Sequence, residues 1–158
     1  MRRALRNLDA IVSKPDRTVG SDDNSNPATV IQARLHPNVG PFVFQIRTAT
    51  GTATGAAARL ADRRALSLAD DQEAFAEEHE RLGKAREHLA SFASEDFDGA
   101  DSKRIALNLG PGPVRFTGAS LLLNFAMPTF FFHLATADNT LPLNDAAIDT
   151  RRSRRDLR

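Results

Sequence analysis

Residues 35–60 read LHPNVGPFVFQIRTATGTATGAAARL, and the apolar members Leu35, Val39, Phe42, Ile46, Ala49, Ala53, Ala56 and Leu60 recur in alternating steps of four and three. That spacing keeps them on one face of an α-helix. Pro37 and Pro41 fit near its start, where a missing N–H costs little, with Asn38 or Gly40 as the cap. The middle, Thr48 to Gly55 (TATGTATG), is a poor helix former by intrinsic propensity. It reads either as a helix in which Gly51 and Gly55 let a neighbouring helix approach closely, or as a break. The continuing seam favours the helix.

On the N-terminal side, Leu5, Leu8, Ile11 and Val12 recur at helical spacing, which predicts an amphipathic helix over residues 2–14 that stops before Pro15. Residues 15–27 (PDRTVGSDDNSNP) predict a surface connection. On the C-terminal side, residues 70–94 (DDQEAFAEEHERLGKAREHLASFAS) predict a helix with Phe75, Leu82, Leu89 and Phe92 on one side. Asp70, Asp71 and Glu73 in its first turn complement the helix dipole. Together with Glu77, Glu78 and Glu80 they read as a solvated acidic face. Gly99 introduces an alternating RIALNL segment at 104–109, a GPGP turn at 110–113 and Val114-Arg115-Phe116, which together predict a small hairpin. Thr117 or Gly118 then starts a last helix carrying Leu121 to Ala137, apolar on nearly every face as in the middle of a bundle, with a kink at Pro128. Its Phe-rich run reads as core.

The 158 residues suffice for one domain with a sizeable core. Cysteine is absent, which excludes disulfide frameworks, thiolate metal sites and cysteine nucleophiles. All ten aromatic residues are Phe. No zinc-type spacing, Walker-type loop or Gly-x-Ser-x-Gly elbow occurs. The basic start, Met1 to Arg6, is followed by no continuous apolar stretch of a secretory signal. The run from Leu121 to Leu134 is interrupted by Asn124, Pro128, Thr129 and His133 and falls short of the roughly 20 apolar residues of a membrane span. These features predict a soluble, cytoplasmic protein with no membrane partner.

The net charge of +1 is a sum of unlike parts: +3 in residues 1–6, +4 in residues 151–158 and −6 between them. The basic tail ends RRSRRDLR, has no aromatic residue for base stacking and belongs to no recognisable nucleic-acid module. Nucleic acid is therefore not the expected partner, and the tail can lie as well against the chain's own acidic helix.

Four segments, NPATVIQARLHPNVGPFVFQIRTAT at 26–50, GAAARLA at 55–61, VRFTG at 114–118 and LLLNFAMPTFFFHLATA at 121–137, together resemble a family of bacterial and fungal proteins of unknown function within the DinB/YfiT-like metalloenzyme superfamily. The resemblance spans residues 4–137. It implies an all-α fold, a four-helix bundle running up-down-down-up with a small β-hairpin before the last helix. The domain then covers residues 1–137, and residues 138–158 form a poorly ordered basic tail. It further implies longer helices at both ends than this chain has, and a homodimer formed by helix packing.

The superfamily resembles a metal enzyme because three His converge, one from the second helix and two from an H-x-x-x-H pair on the last. Here the last-helix pair reads Thr129-x-x-x-His133, and no His occurs between Asn38 and Ala61. At most one ligand of three is present. His36 precedes the second helix, and His79 and His88 lie nine residues apart on the third. The expectation is therefore no metal, no cofactor and no catalytic residue. His133 reads either as a core histidine satisfied by Gln45, Thr129 or Asn124, or as part of a polar pocket of Gln45, Thr129 and His133 that holds a small molecule. The functional expectation is a non-catalytic or small-ligand-binding protein with a degenerate metal site. The alternatives are a metal-assisted or thiol-dependent transferase that keeps His133, and an interaction or stress-response module acting through its basic tail.

Overall fold

The structure, a computed structural model, describes residues 2–18, 30–68 and 74–141. Among them run α1 (Arg2–Thr18), α2 (Phe42–Leu60), α3 (Phe75–Ala90), a 3-10 turn (Ser94–Phe97), strands β1 (Arg104–Asn108) and β2 (Pro113–Thr117), and α4 (Gly118–Thr140). β1 and β2 form an antiparallel hairpin in which Ile105 faces Phe116 and Asn108 faces Pro113. The acids Asp70, Asp71 and Glu73 and the tail beyond Leu141 lie outside the described residues.

The main core is made by Leu5, Leu8 and Val12 of α1, Phe42 and Ile46 of α2, Leu82 of α3 and Phe130 of α4, all fully buried. α4 packs chiefly on α2, and α1 on α3. A smaller second core joins Ile105 and Leu107 of β1 to Leu121 of α4, with Phe116 and Phe125 against it. Asp138 to Thr140 complete the last helix, and Leu141 is buried in the main core.

The TATG stretch is helical throughout. Thr50 and Thr54 are buried, and their hydroxyls donate to the carbonyls of Ile46 and Thr50 one turn back, both at 2.9 Å. Tertiary burial thus overrides weak propensity, while each buried hydroxyl finds its acceptor inside the helix. The glycines have a different purpose from the close approach expected of them. A Cβ at Gly51 would meet nothing within 4 Å, and one at Gly55 would meet only the Arg59 side chain. Leu35 and Val39 precede the helix, which begins at Phe42 after an extended Pro41.

α1 continues through Pro15 to Thr18 where a stop before Pro15 was expected. Proline within the last turn removes one backbone donor close to an end that frays in any case, so the helix tolerates it. Just ahead of Pro128, the position at which a kink was expected, lies a π-helical turn over Leu121–Ala126, closed by the Met127 N–H on the Leu122 carbonyl. The wider turn absorbs the change in bonding pattern just ahead of the ring. α4 is also less buried than its apolar sequence predicted. Leu123, Met127 and Phe131, each one turn from the next, form an exposed stripe, with Phe132 60% exposed beside it. By length and composition alone α4 could cross a membrane, yet Phe130, Ala137 and Leu141 tie its other face into the main core.

Candidate functional site

Gln45 stands in the first turn of α2 and is 1% exposed, so its amide must be satisfied from within the protein. Its Nε2 donates to the Gly40 carbonyl at 2.7 Å, which leaves Oε1 to face Nδ1 of His133 at 2.6 Å. An amide oxygen can only accept, so His133 carries its proton on Nδ1 and keeps a lone pair on Nε2. Burial holds the His133 pKa below its ordinary value, and the ring is neutral at pH 7. Phe44 and Phe132 meet it edge to face, with centroids 5.9 and 5.1 Å away. Thr129 lies one turn earlier on α4, half-buried, and its hydroxyl makes no side-chain hydrogen bond among the described residues. The structure thus joins Gln45 to His133 directly, with Thr129 on the preceding turn; Asn124 is exposed and makes no bond to either.

The other histidines are engaged elsewhere. His36 accepts from the Asn38 N–H in an exposed turn, and His79 Nδ1 meets Asp9 at 2.8 Å, which also pairs with Arg86. His88 packs edge to face on Phe92, while burial and the Arg63 charge depress its pKa. Among the described residues no three His, Asp or Glu side chains gather as a metal would require. A divalent ion of the kind the superfamily implies does not fit: the second-helix partner of His133 is a neutral amide already bound on both its atoms.

One carboxylate departs from the solvated face predicted for α3. Glu78 is fully buried, 3.6 Å from Arg47 Nε, with neither carboxylate oxygen hydrogen-bonded among the described residues. Desolvation raises its pKa to about 7, against the opposing pull of Arg81 and Arg47. Arg81 is buried too, and its Nε donates to Thr50 Oγ1 at 2.8 Å. The sequence did carry a signal: Phe75, Glu78, Leu82, Ala85 and Leu89 step by three and four, so Glu78 occupies a seam position.

A cavity of about 670 Å³ opens between the ends of α2 and α3 and the start of α4, with Leu60, Leu89, Phe92, Phe97 and Leu122 in its walls. It is lined by residues other than Gln45, Thr129 and His133. Beside it, Arg63 stacks its guanidinium over Phe92 at 4.4 Å, and its Nη1 donates to the Ser91 carbonyl and to Asp96.

The fold has a solved counterpart, a DinB family member protein from Shewanella denitrificans. The two superpose with a TM-score of 0.86 at 24% sequence identity, covering 96% of this chain and 85% of that one. The sequence matches no curated protein. A family model described as a domain of unknown function, DUF1993, matches residues 1–141.

Proposed function

The chain belongs to the DUF1993 family, and from that footing we propose that it is a non-catalytic, small-ligand-binding member of the DinB-like superfamily whose metal site has degenerated. The observation that carries this reading is the hydrogen bond from His133 Nδ1 to the buried Gln45 amide. It fixes a neutral imidazole between two Phe rings, with Nε2 free to accept a hydrogen bond and the Thr129 hydroxyl on the preceding turn. Such a group recognises a donor on a small molecule and offers no ligand set for Lewis-acid chemistry. The cytoplasm and the up-down-down-up helix order belong to the same proposal.

Protein purified without a histidine tag is expected to contain no stoichiometric zinc, nickel or iron. One equivalent of any of these that is lost in His133→Phe would overturn the reading and favour a metal-assisted transferase.

The exposed Leu123, Met127 and Phe131 stripe supports the further proposal that α4 packs against a second copy of the chain. Light scattering after size exclusion is expected to give about twice the 17.2 kDa chain mass. The double variant Leu123→Lys, Phe131→Glu is expected to give the monomer mass with its thermal transition retained. A monomeric parent protein would rule the dimer out.

A further inference from the structure

A second cavity, of about 500 Å³, lies between α2, the β1 strand and the π-helical turn of α4. The volume falls within the range that small-molecule sites occupy. Its walls combine an apolar floor of Leu107, Leu121 and Phe125 with polar groups from two elements: Thr48, Thr52 and Arg59 along one side of α2, and Asn108 at the end of β1.

The threonines of α2 divide into two kinds. Thr50 and Thr54, on the core side, use up their hydroxyl protons on carbonyls one turn back. Thr48 and Thr52, on the cavity side, make no side-chain hydrogen bond among the described residues, and neither does Asn108. Arg59 is the charged residue in the cavity wall. One of its nitrogens, Nη1, donates to the Gly55 carbonyl at 2.8 Å, and no carboxylate among the described residues pairs with it. Its place in the last turn of α2 suits a cation, yet the remaining guanidinium donors make no hydrogen bond among the described residues.

We propose that this cavity binds a small organic monocarboxylate, its carboxylate on Arg59, its apolar body on Leu107, Leu121 and Phe125, and a polar substituent within reach of Thr48, Thr52 or Asn108. A single guanidinium neutralises one negative charge, and an arginine fork matches a planar carboxylate. The apolar floor rewards a carbon body that a bare inorganic anion lacks. Gly51 completes the site by lacking a side chain. A Cβ there meets nothing within 4 Å, so the position keeps the cavity open and plays no part in packing. The site lies apart from the Gln45 and His133 pair and stands or falls separately from it.

The test is a ¹H–¹⁵N NMR titration of the full chain with phenylacetate, with benzyl alcohol and phenyl phosphate as comparison probes. Phenylacetate is expected to shift the Gly51, Thr52 and Asn108 amides saturably, with a Kd on the order of 1 mM. Arg59→Gln is expected to weaken it by roughly tenfold, the loss of one charge-assisted contact. Gly51→Leu fills the cavity from a position with free space and gains helix propensity, so it is expected to abolish these shifts while the folded spectrum persists. His133→Phe leaves the titration unchanged, which separates this site from the one proposed above. Absence of saturable shifts in the parent protein, or undiminished binding in Gly51→Leu, would overturn the proposal. Benzyl alcohol binding as tightly as phenylacetate would overturn the role of Arg59, and tighter binding of phenyl phosphate would overturn the monocarboxylate class.

Discussion

Gly118→Ala is expected to lower the melting temperature by roughly 6–12 °C, corresponding to about 3 kcal/mol at 2–4 °C per kcal/mol for a chain of this size. Propensity alone argues the opposite, since alanine is favoured over glycine in a helix by about 1 kcal/mol. The geometry decides. A Cβ on Gly118 would stand 1.7 Å from the Ala100 carbonyl oxygen and 2.9 Å from Leu60 Cδ2. The first of these is a backbone atom in a segment held by the Ala119 N–H on the Asp101 carbonyl at 2.9 Å, so no rotamer change removes the clash. Overpacking of this kind costs several kcal/mol because the chain crossing must lift off the helix. Thermal unfolding followed by circular dichroism measures it. A variant melting within 2 °C of the parent would mean that the crossing yields freely.

Glu78 is expected to raise the conformational stability of the parent protein by about 2 kcal/mol between pH 8 and pH 5.5. The native carboxyl titrates at about 7 against an ordinary value of 4.5, so across that interval the folded chain holds a proton that the unfolded chain has released. Linkage then makes the folded state more stable as pH falls through 7, the gain being complete only below 4.5 and absent well above 7. The cause is desolvation of a fully buried carboxylate, only partly offset by Arg81 and Arg47 and worsened slightly by Glu77. Urea unfolding at the two pH values reads the slope. Glu78→Gln removes the contribution, and its stability at pH 8 equals or exceeds that of the parent. If the variant kept the parent's pH profile, the slope would have to come from other groups.

Much of the architecture is written locally. The seam from Phe42 to Leu60, the acidic start of α3 at Glu77, the alternation across Ile105 and Leu107, and the Thr117 side chain that accepts from the Ser120 N–H are all neighbour relations, which periodicity and capping rules detect. What escaped them depends on contacts made at a distance. The acidity of residues 70–80 hid the fact that Glu78 turns inward, because charge composition speaks louder than one seam position. The apolar richness of α4 hid its two unequal faces, since an all-apolar stretch has no period from which to tell Phe130 from Phe132. Gln45 was legible as one of three candidate partners of His133, but nothing local singled it out from Thr129 or Asn124, since the two bonded residues lie 88 positions apart in sequence. The wall of Thr48, Thr52, Arg59 and Asn108 needed the hairpin folded over α2 before it could be seen.

The π-helical turn at Leu121–Ala126 makes α4 a shaft with two phases. Ahead of Pro128, Leu121 and Phe125 address the hairpin; beyond it, Phe130, Ala137 and Leu141 address the main core. One extra residue in a single turn rotates the first set relative to the second without breaking the rod. The two cores share this helix but not a common side-chain register, so substitutions well separated across them are expected to add independently. Variation in the hairpin and the cavity beneath it is thereby uncoupled from the requirements of the main core that supports them.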